Sequence, residues 1–150
     1  MEKTFIGGYW SERAESIHGS AHKIKRFLRE LEAFGELFSN LKLPAYSKKQ
    51  AMKNKFEIDK IDIVSHLKDG VKTNELNDQG LCKIGFNFSV FDEIQEDLSV
   101  EVSFGIGAYS KYNKNVCYVH ISGIKIDDQL RNKILELIKR VFEPETIRNE

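Results

Sequence analysis

Two stretches of strict alternation constrain this chain more than any other feature. Cys82, Ile84, Phe86, Phe88 and Val90 are apolar, whereas Lys83, Gly85, Asn87 and Ser89 between them are not. Leu98, Val100, Val102, Phe104 and Ile106 repeat the pattern against Ser99, Glu101, Ser103 and Gly105. Side chains alternate across a strand, so a period of two means a strand with one buried face. The spacing predicts another strand over Val116 to Ile121, with Cys117, Val119 and Ile121 inward. Short connections make these strands an antiparallel meander. Asp92, Glu93, Glu96 and Asp97 then fall together in its first hairpin loop.

Elsewhere the period is helical. Ile17, Ala21, Ile24, Leu28 and Leu31 share one stripe, widened by Phe27, Phe34 and Phe38. An amphipathic helix from about Ala14 follows, its ends blurred by Gly19 and Gly35. Ser47-Lys48-Lys49-Gln50 reads as a capping box, whose serine and glutamine satisfy orphan N–H groups at a helix start. Asp59 is a cap for a further helix carrying Ile61, Val64 and Leu67, closed by Gly70. Asp127 and Asp128 open a last helix, where negative charge suits the helix dipole. Its stripe is Leu130, Ile134, Leu137, Ile138 and Val141, and Pro144 stops it. Thr4 to Tyr9 is a candidate first strand, with Gly7 and Gly8 loosening its end. The expected fold is α+β, one domain over residues 1–150. A three-stranded antiparallel meander, joined by the candidate N-terminal strand, carries helices on one face.

Charge and composition narrow the function. Lys plus Arg and Asp plus Glu both number 23. That balance speaks against direct nucleic-acid binding, which runs on a basic excess. No apolar run approaches the ~20 residues of a spanning helix, and the first ten residues lack the basic start and apolar stretch of a signal peptide. The expected location is cytoplasmic, where Cys82 and Cys117 remain free thiols.

The residues that invite chemistry have plainer explanations. His18 and His22 share a helix face, with Glu15 near them, but catalytic zinc takes three protein ligands in a fixed arrangement and no HExxH is present. Solvated helix-surface histidines account for them. Gly105-Ile106-Gly107-Ala108-Tyr109-Ser110 faintly resembles a phosphate loop, yet a strand follows where a helix N-terminus should stand. Cys82 and Cys117 lie on apolar strand faces, where a thiol packs as a small hydrophobe. Asp59 and Asp62 suit helix capping better than acid–base work. The expectation is a binding protein, with no metal, no cofactor and no catalytic residue. Against a basic run of Lys48, Lys49, Lys53 and Lys55, the acidic group Asp92, Glu93, Glu96 and Asp97 is a candidate contact for a basic partner.

One segment is more specific. Gly8-Tyr9-Trp10-Ser11-Glu12-Arg13-Ala14-Glu15-Ser16 places two large aromatics, an arginine and two acids before the long helix. It resembles the signature of the immunity protein 52 family. The likeness continues through Ala21, Ile24, Phe27, Leu28 and Leu31, then Ser47-Lys48-Lys49-Gln50-Ala51, and ends at Phe142-Glu143-Pro144. Leu41 and Phe142 stand where the family pattern suggests tryptophan. The resemblance implies an antidote encoded beside a bacterial polymorphic toxin, including effectors of type VI secretion. It implies a toxin partner, usually a nuclease with a restriction-endonuclease-like fold, inhibited by occlusion of its active site. The alternative is inhibition away from that site, or binding of an adaptor. A signature shared across different toxins belongs to the fold, so Tyr9, Trp10, Arg13, Glu15 and Ser16 are read as structural. Partner contacts are expected in loops such as Asp92 to Asp97.

Overall fold

A computed structural model describes residues 2–43, 57–72 and 74–150. The elements run β1 (Lys3–Trp10), α1 (Ile17–Glu32), a 3-10 turn (Glu36–Phe38) and α2 (Ile63–Asp69). Then follow β2 (Phe86–Gln95), β3 (Leu98–Ile106), β4 (Asn115–Ser122), α3 (Asp128–Phe142) and β5 (Thr146–Asn149). The sheet has five strands in the order β2-β3-β4-β1-β5, and every pairing is antiparallel. The expected meander is present, and β1 joins it between β4 and β5.

Register puts Phe88, Phe104, Cys117 and Gly8 in one row across the sheet. Residues of this parity form the inner face, and all three described helices touch it. His66 of α2 meets the edge of Phe88, Phe27 of α1 meets the edge of Phe104, and Phe142 of α3 stacks on Trp10. Phe142 also lies against Phe27 and Phe104, with ring centroids 5.6 and 5.9 Å away. One aromatic cluster therefore ties α1, α3, β1 and β3 together. Gly8 lets α3 approach, because a Cβ there would stand 2.8 Å from Ile138 Cγ2 and 2.9 Å from Pro144. The two glycines lie within β1 and keep it thin; they do not loosen its end.

Several expectations shift. The strand begins at Phe86, not Cys82. Gly85 has φ +81°, and a Cβ would sit 2.9 Å from backbone atoms of Ile106 and Ala108. Before it, Cys82 bridges Leu76 and Ile84 turns outward. β2 instead runs on through Asp92 and Glu93, leaving Glu96 and Asp97 as a tight turn. α1 starts at Ile17, after its Ser16 cap, and Phe34 and Phe38 lie beyond its end. Gly35 follows at φ +147°, a conformation closed to most side chains. Asp62, not Asp59, caps α2, while Asp59 pairs with Arg29. Asp127 caps α3 as its position predicts, accepting from Leu130 N at 2.7 Å. β5, beyond Pro144, was not expected. The Ser47–Gln50 capping box and its helix lie outside the described residues.

Candidate partner interface

The signature segment works as a clasp between the two ends of the described chain. Ser16 caps α1, its Oγ accepting from Gly19 N at 3.0 Å. Arg13 donates to the carbonyls of Phe142 at 2.5 Å and Glu143 at 3.0 Å, at the C-terminal end of α3. A cation is favourable there, because unpaired carbonyls gather partial negative charge. The same guanidinium stands 5.4 Å from the Trp10 ring, which is buried against Phe142. Ser11 donates its N–H and its hydroxyl to Glu145 Oε1, both at 2.8 Å. The Ser11 N–H is the main reason that the Glu145 carboxyl titrates below its ordinary value. Glu15 pairs with Lys23. Tyr9 differs from the rest: its side chain belongs to the opposite face of the sheet, in register with Val116 and Thr146.

The other candidate chemistries are occupied by structure. His18 and His22 are exposed, and the described residues contain no group of three His, Cys, Asp or Glu able to hold a metal. Cys82 and Cys117 are fully buried, and burial pushes the Cys117 thiol well up, away from the reactive thiolate. In the Gly105–Ser110 segment the backbone is already engaged. The Asn115 side chain bonds both the N–H and the carbonyl of Ala108, and that carbonyl also accepts from Arg13 N. Asp62 accepts from the Ser65 hydroxyl and N–H, which lower its pKa.

The acidic group divides. Asp92 lies on the inner face, only 4% exposed, with Lys42 Nζ 2.8 Å from its carboxylate. It is a buried ion-pair partner, not a loop residue. Glu93, Glu96 and Asp97 are exposed together at the β2–β3 hairpin end.

Beside that end is a surface that reading the sequence missed. The outward residues form rows across the sheet: Phe91, Glu101, His120 and Phe5 in one, and Ser89, Ser103, Tyr118, Gly7 and Arg148 in the next. The sheet aromatics that meet the described helices, Trp10, Phe88 and Phe104, belong to the opposite face. Phe5 stacks on Tyr118 at 5.0 Å, and the Arg148 guanidinium lies 4.7 Å from the Phe5 ring. Tyr118 donates to Glu101 Oε1 at 3.0 Å, and Ser103 donates to the same oxygen at 3.2 Å. Burial, then the neighbouring Glu101, hold the phenol protonated against the opposing pull of Ser103. Next to the hairpin end the face dips into a hollow of about 310 Å³, lined by Ser89, Phe91, Glu93, Ser99, Glu101 and His120. The signal was present in the sequence: Phe5, Phe91 and Tyr118 are aromatic at outward strand positions.

What these residues offer is surface for a partner, held by a fold whose cysteines are buried and whose Asp62 and Gly105–Ser110 backbone are already bonded. The chain belongs to the Immunity protein 52 family, whose model matches residues 2–139. The match stops short of Phe142–Pro144 and β5. No curated protein matches the chain. Family membership makes it a non-catalytic inhibitor whose role is to neutralise a cognate toxin. No described helix is long and apolar enough to cross a membrane.

Proposed function

We propose that the chain neutralises a nuclease toxin, with a restriction-endonuclease-like fold, by occluding its active site. The observation that carries the reading is the acidic hairpin end, where Glu93, Glu96 and Asp97 are exposed beside a sheet face that the described helices do not pack on. A nuclease presents a basic channel to nucleic acid. Carboxylates set against that channel take the place of phosphates and accelerate the encounter by electrostatic steering. Asp92 has no part in this contact, since Lys42 already holds it inside the fold. The basic surface targeted belongs to the toxin; the chain itself does not bind nucleic acid.

The test is charge reversal of Glu93, Glu96 and Asp97 to lysine, with affinity measured for the toxin encoded beside this chain's gene. At low salt the reversed variant should bind at least tenfold more weakly, and its association rate should lose most of its salt dependence. Unchanged affinity at low salt would remove the hairpin end from the contact.

A further inference from the structure

We infer that the outward sheet face is the main toxin-binding surface, and that its hollow receives an arginine or lysine side chain of the toxin. The inference rests on the toxin-binding role and adds the footprint and the chemistry that fills it.

Charge complementarity selects the occupant. Among the described residues that line the hollow, Glu101 presents a carboxylate and none is lysine or arginine. Glu101 is the anchor. Both bonds that fix it, from Tyr118 and Ser103, fall on Oε1. Oε2 thus keeps its accepting capacity for a donor from outside, on a carboxylate whose direction is already set. A guanidinium or ammonium meeting it forms a charge-assisted bond, about twice as strong as a neutral one. Phe91 supplies an apolar wall for the aliphatic stem of such a side chain.

The rest of the face is assembled in advance. Arg148, Phe5 and Tyr118 stack in sequence, and Ser89 and Ser103 share a hydrogen bond of 2.8 Å. Side chains already fixed lose little entropy on binding. Tyrosine and arginine are the residue types that carry most interface energy. Size adds a constraint. Four alternating residues along a strand span about 20 Å, and five strands about 19 Å, or roughly 400 Å² in projection. A stable interface takes about 800 Å² per partner. The face therefore needs the acidic hairpin end within the same footprint, and β2 and β3 carry both.

The experiment uses the whole chain and a catalytically inactivated form of the toxin encoded beside it, with Kd measured by calorimetry. Glu101→Gln keeps the shape of the side chain and removes its charge, and should weaken binding about tenfold. Glu101→Lys should weaken it at least a hundredfold. Lys133→Glu, on the exposed side of α3, should leave Kd within threefold. Far-UV circular dichroism checks the fold of each variant. If Glu101→Lys does not fold, Glu101→Gln alone decides. Wild-type binding with both Glu101 variants within threefold would overturn the inference and leave the toxin-binding role intact. No binding by the wild type would overturn both.

Discussion

Replacing Asp92 by asparagine removes one charge from a pair that the fold has taken out of water. Side-chain exposure is 6% for Asp92 and 17% for Lys42, with 2.8 Å between the charged atoms. Removing one member of a fully buried pair costs about 3–5 kcal/mol, mostly because the other charge is left stranded. Lys42 keeps some exposure, so its ammonium has a route to water and the cost falls to about 2–3 kcal/mol. At about 2–4 °C per kcal/mol for a chain of this length, Tm should drop by roughly 5–10 °C. Two backbone hydrogen bonds between Lys42 and Phe91, of 2.7 and 2.9 Å, do not depend on either side chain. The local pairing should therefore survive, and the urea m-value should not change. Combining Asp92→Leu with Lys42→Met removes both charges and should recover most of the loss, giving a clear coupling in a double-mutant cycle. Urea unfolding followed by circular dichroism reads all of this. Toxin affinity, measured where the variant is folded, should stay near wild type. A stability loss under about 0.5 kcal/mol, the range of ordinary surface substitutions, would refute the reasoning. So would a loss of affinity without a loss of stability.

Two further outcomes follow from the packing and the clasp. Gly8→Ala should destabilise by about 1–3 kcal/mol through overpacking, since its Cβ meets Ile138 and Pro144; thermal unfolding checks it. Ser11→Ala should change the pH dependence of stability. Glu145 has a depressed folded-state pKa, so its contribution is present above the ordinary carboxylate value and is lost as pH falls through the folded value. Stability measured from neutral pH downward should fall only slightly less steeply in Ser11→Ala, which keeps the dominant Ser11 N–H bond, and clearly less steeply in Glu145→Gln, which has no carboxyl to titrate.

The inner face of the sheet was legible because burial forces alternation, and Val100, Val102, Phe104, Cys117, Val119 and Ile121 are all buried. The caps at Ser16 and Asp127 were hidden or visible according to their neighbours. Asp127 and Asp128 mark their helix start by charge, whereas Ser16 follows Arg13-Ala14-Glu15, residues a helix accommodates and that allowed an earlier start. Gly85 could not be read as a strand stop, because its reason is the backbone of Ala108 in another part of the chain. In the sequence Asp92 reads as a loop acid, because its partner Lys42 lies fifty positions earlier. β5 is four exposed residues with no inward pattern, and its pairing with β1 comes from α3 returning the chain to that edge. The outward face was missed because half-buried aromatics between inward residues carry no periodic signal of their own.

On the proposed function, this chain covers the catalytic cleft of its toxin. The most direct measurement is competition between the chain and a labelled nucleic-acid duplex for the inactivated toxin encoded beside it. Mutual exclusion is expected: added chain releases the duplex, and excess duplex weakens the chain's apparent affinity. A stable ternary complex, with toxin holding both the duplex and the chain, would contradict it.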